Sequence, residues 1–203
     1  GEASCTSLHG ANRLGTNSTA ECLVWGGITG EEIVKHMQTG PELAELPIKA
    51  DEEEEKRVFE GMLHREGNEN PYMIRTKLRE VMDNHMGVYR DGPLLHEGLQ
   101  KILELKERFR TIHIEDKDRV YNSNLINALE IENMLDLAEA AALAALHRQE
   151  SRGGHARRDF TERDDENWLC HSLYFPTDKR VAKRGVNFEP QTVDTFQPKA
   201  RSY

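Results

Sequence analysis

Cysteines are few in this chain of 203 residues, and they stand apart. Cys5, Cys22 and Cys170 form no C-x-x-C pair and no cysteine–histidine spacing. That excludes zinc or iron–sulfur ligation within the chain and predicts small buried residues in a reducing compartment. The 9 histidines include no H-E-x-x-H pair, so no metal site is expected. No G-x-G-x-x-G occurs among the 15 glycines, which removes a self-contained dinucleotide-binding fold. Cations are short as well: 27 Lys and Arg face 36 Asp and Glu, and the net charge of -9 argues against a nucleic-acid partner. The one local basic cluster, Lys179, Arg180, Lys183 and Arg184, reads as a solvated turn. Nor does an apolar run fit a bilayer, because Glu130, Glu132, Asp136 and Glu139 interrupt the most hydrophobic stretch, Leu125 to Leu146. No signal peptide or lipidation motif is recognisable.

What is there is charge and helical periodicity. With 37% hydrophobic and 31% charged residues, the chain suits a helical piece with wide solvent faces, or one whose apolar surface a neighbour covers. Gly40-Pro41 to Pro47 ends a first helix, and the run Asp51 to Glu55 opens another with Val58, Met62 and Leu63 facing inward. Asn70 followed by Pro71 caps a helix with the stripe Ile74, Leu78, Val81, Met82 and His85. Asp91-Gly92-Pro93 starts one with Leu95, Leu99, Ile102, Leu103, Leu105 and Phe109. Asn122 or Asn124 caps the longest, whose small residues Ala138 to Ala145 allow close helix approach. Residues 51–150 therefore read as an antiparallel helical bundle, and the fold class as mainly α. Residues 151–203 read as a C-terminal extension: strands Trp168 to Phe175 and Val181 to Phe188 form a β-ribbon, marginal alone and so laid against another domain. The tail beyond is expected to be extended, and Trp168 and Tyr174 to be core.

The first segment carries the chemistry. Ser18 and Glu21 match the S-x-x-E capping box, which predicts a helix start. Cys22, Leu23, Val24, Trp25, Ile28, Ile33, Val34 and Met37 follow too continuously for a surface helix, so burial of its first turns is expected. A strand-like stretch should precede it, with Gly15 as the bend and Arg13 as a forked cation suited to carboxylate or phosphate. The helix N-terminus would favour negative charge. His9 is expected to be a packing residue.

The run His9-Gly10-Ala11-Asn12-Arg13-Leu14-Gly15 with Asn17-Ser18, preceded by Gly1-Glu2, closely resembles the last flavin-binding segment of succinate dehydrogenase and fumarate reductase flavoprotein subunits. Glu150 to Phe160, then Glu162 to Leu169, resembles that family's C-terminal stretch, and the likeness continues to Tyr203. The resemblance implies the C-terminal portion of a longer subunit. In that family the dinucleotide fingerprint, the flavin-linking histidine and the capping domain with its proton-delivering arginine come before this point. Residues 1–46 would be the terminal segment of the FAD-binding domain, its last strand–helix unit.

By the same resemblance Arg13 would grip a carboxylate of succinate or fumarate. Glu2, Ser18 and Thr19 would contact FAD, held mainly by the missing N-terminal part. No catalytic residue and no metal ligand is expected in this chain. Arg152, His155, Arg157 and Asp159 would form a hydrogen-bonded junction between bundle and flavin domain. Implied partners are an iron–sulfur subunit and, indirectly, membrane-anchor subunits. The implied place is the cytoplasmic face of the inner membrane, peripheral, or the mitochondrial matrix side. The family usually has leucine where Thr19 stands, a basic residue at Gly27 and a smaller residue at Thr16. Two other readings stay open: an L-aspartate oxidase-like flavoenzyme, which shares the His-Gly-Ala-Asn-Arg turn, and a helical interaction module without catalysis.

Overall fold

The computed structural model describes residues 6–42, 44, 45, 47–189 and 194–198. Its elements in chain order are α1 (Asn17–Gln38), α2 (Ile48–Glu55) continued by a π-helical segment (Lys56–Leu63), α3 (Pro71–His85), β1 (Tyr89–Arg90), α4 (Gly92–Phe109), α5 (Ser123–His147), β2 (Ala156–Arg157), α6 (Asp165–Trp168), β3 (Cys170–Phe175) and β4 (Arg180–Gly185). About half of the chain is thus helical, with small sheets.

Local side-chain bonds set the helix starts. The side-chain Oδ1 of Asn70 accepts from the Tyr72 N–H at 2.9 Å, a carboxylate oxygen of Asp91 from Leu94 at 2.9 Å and Asn122 Oδ1 from Leu125 at 2.8 Å. Each satisfies an N–H that the first helical turn leaves without an intrahelical partner. Asn122 also donates to the carbonyls of Asp116 and Asp118, so one buried amide builds both the loop and the helix it opens.

The core lies where α4 packs against both α3 and α5. Ile74 and Leu78 meet Leu95, Leu99, Ile102, Leu105 and Phe109 from α4, with Leu125, Ile131, Leu135, Ala138 and Ala142 from α5. The periodic stripes expected from sequence are these residues, with Met82 and Leu103 only partly buried beside them. The π-helical turn, closed by the His64 N–H to the Phe59 carbonyl at 3.2 Å, was not foreseen. It delivers the adjacent Met62 and Leu63 together into the core, at 1% and 0% exposure. Residues 67–69 run hard against 111–113. A Cβ on Gly67 would stand 2.0 Å from the Thr111 carbonyl oxygen, so only glycine fits that approach.

β1 and β2 pair in parallel, Tyr89 opposite Ala156 and Arg90 opposite Arg157. β3 and β4 form the expected antiparallel ribbon, from Cys170 opposite Gly185 to Phe175 opposite Arg180. The ribbon lies on α5. Trp168 is buried with its ring edge-on to His147 at 5.4 Å, Lys183 Nζ stands 3.3 Å over the indole, and Lys179 reaches the buried Glu139 at 2.7 Å. The basic cluster is therefore partly a fastener, not only a solvated turn. Tyr174 is half-buried rather than core, and residues 194–198 carry no regular structure.

Several expectations about the first segment are overturned. Helix α1 begins at Asn17, after Thr16, and no side chain caps it. Glu21 turns instead to Thr6 and His9, so the capping box does not form. Residues 6–16 are turns and bends, not a strand, because no neighbouring strand pairs with them among the described residues. Positive φ falls at Ser7 (64°), Gly10 (69°) and Thr16 (74°) rather than at Gly15. Helix α1 is exposed, with Leu23 at 73% and Met37 at 61%; Glu21 is its buried residue among those described. Its apolar sequence asks for a cover that these residues do not supply. Cys22 and Cys170 are half-buried, and Cys5 lies outside the described residues. Among the described residues no helix is long and apolar enough to cross a membrane.

Candidate functional site

Residues 6–16 form an arch of turns and bends that leads into the amide end of α1. At the base of the arch the buried Glu21 carboxylate accepts the Thr6 hydroxyl at 3.2 Å and pairs with His9 Nε2. The His9 contact holds this carboxyl below the usual carboxylate range. His9 Nδ1 is buried with no partner among the described residues. On the other side of the arch, Asn12 Nδ2 donates to the Gly154 carbonyl at 2.9 Å. Leu14 lies beside the same glycine, 3.4 Å from where a Cβ would stand.

Between these two anchors sits Arg13, exposed and not without a partner. Ser18 is half-buried in the first turn of α1 and Thr19 is exposed beside it. Arg13, Ser18 and Thr19 thus share one loop-to-helix unit, while Glu2 lies outside the described residues. The open α1 terminus suits a polarised carbonyl or an anion, since Thr16 gives no side-chain bond to the first N–H groups.

Behind the arch lies a cleft of about 800 Å³, walled by Ser7, Leu8 and residues 10–12, by Met82, Met86 and Arg90, and by Arg148, His155 and the first residues of β3. Its wall is a polar network in which Glu150, fully buried, accepts from Arg148 Nη1 at 2.5 Å, from both ends of the Arg152 fork at 2.7 and 2.9 Å and from the Asp164 N–H at 3.0 Å. Arg148 continues to the carbonyls of Trp168 (2.9 Å) and Cys170 (2.6 Å), which moors the ribbon to the end of α5. Arg157 forks onto Asp159, both bonds 2.7 Å, and donates to the Ala145 carbonyl at 3.0 Å, one of the carbonyls that the C-terminus of α5 leaves open. That fork, with the Gly92 N–H, draws the Asp159 carboxyl down to about 2. The hydrogen-bonded junction expected at Arg152, His155, Arg157 and Asp159 forms, and among the described residues it joins α5 to the ribbon and β1. Arg90, Arg148 and Glu150 are members that sequence reasoning did not single out, since their partners lie on other elements.

His155 shows how the network discriminates protonation states. Arg90 Nη1 donates to its Nδ1 at 2.9 Å, which leaves Nε2 to donate to the Arg148 carbonyl at 3.3 Å, so the ring is neutral. Burial, with Arg90, Arg157 and Arg148 nearby, pushes its pKa down to about 4. The unfolded chain takes up this proton near pH 6.5, the folded protein only near 4. The stability held above pH 6.5 is accordingly lost as pH falls from 6.5 towards 4. A His155→Gln variant is expected to show a shallower fall of melting temperature across that window, and a slope equal to that of the unmutated protein would contradict the assignment.

Comparison with known proteins places the arch in context. Residues 75–203 match the family described as fumarate reductase flavoprotein C-term. The chain is 37% identical to the succinate dehydrogenase flavoprotein subunit of Coxiella burnetii, covering 99% of this chain and 34% of that protein. It is 36% identical to the fumarate reductase flavoprotein subunit of Haemophilus influenzae, covering 100% of this chain and 34% of that one. Its fold is similar to a quinol fumarate reductase chain of E. coli, with a TM-score of 0.78 at 34% identity, over 94% of this chain and 33% of that chain. The chain spans about a third of the length of the curated relatives it matches.

Proposed function

Because the chain belongs to the family of succinate dehydrogenase and fumarate reductase flavoprotein subunits, we propose that it supplies one wall of a site where a four-carbon dicarboxylate meets FAD. Residues 1–46 belong to the flavin-binding part, 51–150 to the helical bundle and 151–203 to the extension. FAD, when bound, supplies the two-electron acceptor and donor. The observation that carries this reading is the uncapped amide end of α1 immediately following the Arg13 loop.

Arg13 grips a substrate carboxylate through its fork and holds the dianion in one orientation. The backbone around Ser18 and Thr19 faces the cofactor, and the helix dipole favours negative charge there. Contact through the backbone N–H groups makes threonine in place of the family's usual leucine at Thr19 inconsequential. Glu2 adds a hydrogen bond to the cofactor. The exposed apolar face of α1 packs against the remainder of the subunit. Electrons leave through an iron–sulfur partner, and the assembly is peripheral to a membrane through anchor subunits.

Turnover by the intact subunit tests this reading. Flavin-dependent oxidation of succinate, or reduction of fumarate, with no turnover of L-aspartate is expected. The reverse pattern would assign an aspartate oxidase, and loss of both would leave the interaction-module reading.

A further inference from the structure

Asn12 and the Gly153-Gly154 turn have no part in the substrate contact just assigned, yet they are what ties the Arg13 loop to the bundle. We propose that Gly154 and Asn12 form a latch by which the C-terminal extension sets the orientation of the Arg13 side chain toward the dicarboxylate, making both positioning residues for the reaction. The inference rests on the assignment of Arg13 as substrate anchor.

The chain of contacts is continuous. Arg152 N–H donates to the His155 carbonyl at 2.8 Å and His155 N–H returns to the Arg152 carbonyl at 3.1 Å, closing a tight turn over Gly153 and Gly154. Gly153 has φ 58°, a left-handed backbone that glycine adopts without cost. Both ends of the turn are anchored in the rigid part of the molecule. Arg152 is forked onto the fully buried Glu150 and reaches Asp165 at 2.7 Å, while His155, 1% exposed, is held by Arg90 and the Arg148 carbonyl.

The turn therefore presents the Gly154 carbonyl at a fixed place, and Asn12 takes it at 2.9 Å across 142 positions of sequence. Asn12 precedes Arg13 directly, so the direction in which the guanidinium leaves the backbone is set by a residue whose own side chain is tied down. Absence of a side chain at Gly154 matters as well: its Cβ position already lies 3.4 Å from Asn12 Nδ2 and from Leu14 Cδ2, room for a methyl group and for nothing larger. The His9–Glu21 pair holds the near side of the arch, so only the far side depends on the latch.

The test uses the intact flavinylated subunit. Asn12→Asp keeps the shape and removes the donor; Gly154→Val keeps Asn12 and forces the loop outward. Affinity for malonate, a dicarboxylate with no CH–CH bond to dehydrogenate, is measured by calorimetry, and KM and kcat for succinate by steady-state assay. Each variant is expected to weaken malonate binding and raise KM about tenfold, the scale of one lost hydrogen bond, with kcat within about twofold. Flavin content and melting temperature are expected to stay at the unmutated values, and Gly154→Ala to behave as the unmutated protein. In an Arg13→Lys background the Asn12→Asp change should add nothing, because residues that act through one another are not additive. Normal malonate affinity in Asn12→Asp and Gly154→Val, with Arg13→Lys impaired, overturns the latch alone. So do effects that add fully to that of Arg13→Lys. Unchanged malonate binding in Arg13→Lys overturns the substrate anchor and the latch with it.

Discussion

Arg13→Ala in the intact subunit is expected to lower kcat/KM for succinate by about a thousandfold. Truncating one partner of a desolvated, hydrogen-bonded charge pair costs roughly 2–5 kcal/mol, and each factor of ten corresponds to about 1.4 kcal/mol. Lysine at this position restores the charge but not the planar fork, so Arg13→Lys should recover only part of the loss. The measurement is steady-state kinetics normalised to bound flavin, since a loss of cofactor would mimic a loss of substrate binding. Kinetics unchanged in Arg13→Ala would remove the substrate-anchor assignment altogether. Arg13 is exposed, and the loop that carries it is held by Asn12 and by the His9–Glu21 pair, both of which stay in place when its side chain is truncated. The kinetic effect is thus expected with little change in melting temperature.

Glu150→Ala is expected to be the most destabilising single change in the polar network, by about 3–5 kcal/mol. Glu150 is fully buried and neutralises Arg148, itself 5% exposed, as well as the larger part of Arg152. Removing the carboxylate leaves one buried guanidinium with only neutral acceptors, the carbonyls of Trp168 and Cys170 and the Ser172 hydroxyl. An exposed pair provides the contrast. Arg57 bonds to Glu54 and Glu132 at 2.7 Å with 43% of its side chain in water, and Arg57→Ala should change stability by less than about 1 kcal/mol. Denaturant unfolding of both variants, read against the unmutated subunit, separates the two cases. A Glu150→Ala midpoint equal to that of Arg57→Ala would show that the buried cluster contributes no more than a surface pair. Because the same cluster moors the ribbon and the Gly154 turn, partial melting of the extension should accompany the loss, visible as increased proteolysis near residues 153–169.

Where a feature depended on bonds between near neighbours, sequence was a sufficient guide. Asn70, Asp91 and Asn122 cap because each side chain needs only an N–H two or three residues ahead. The ribbon followed from two β-compatible runs ended by prolines, and the stripes of α3, α4 and α5 from spacing alone. The same local logic misread Ser18 and Glu21. The glutamate had a better offer from His9 and Thr6, at 12 and 15 positions' distance, and a buried carboxylate takes the partners that desolvation makes most valuable. The π-helical turn at Lys56–Leu63 also lay beyond reach. Its wider hydrogen-bonding pattern wins because it seats Met62 and Leu63 together in a core assembled from other helices. Helix α1 is the opposite case: its apolar run was read as buried in its first turns, yet it is exposed, because no element among the described residues covers it.

The family, the helical character and the helix starts at Asn70, Asp91 and Asn122 were written in the order of residues, since each rests on local geometry or on contiguous motifs. Which guanidinium meets which carboxylate at Glu150 and Asp159, which way the ribbon lies, and how a glycine carbonyl near the C-terminus comes to hold Asn12 were decided only in three dimensions. Those contacts join segments far apart in the chain, and their strength comes from the exclusion of water that folding itself creates.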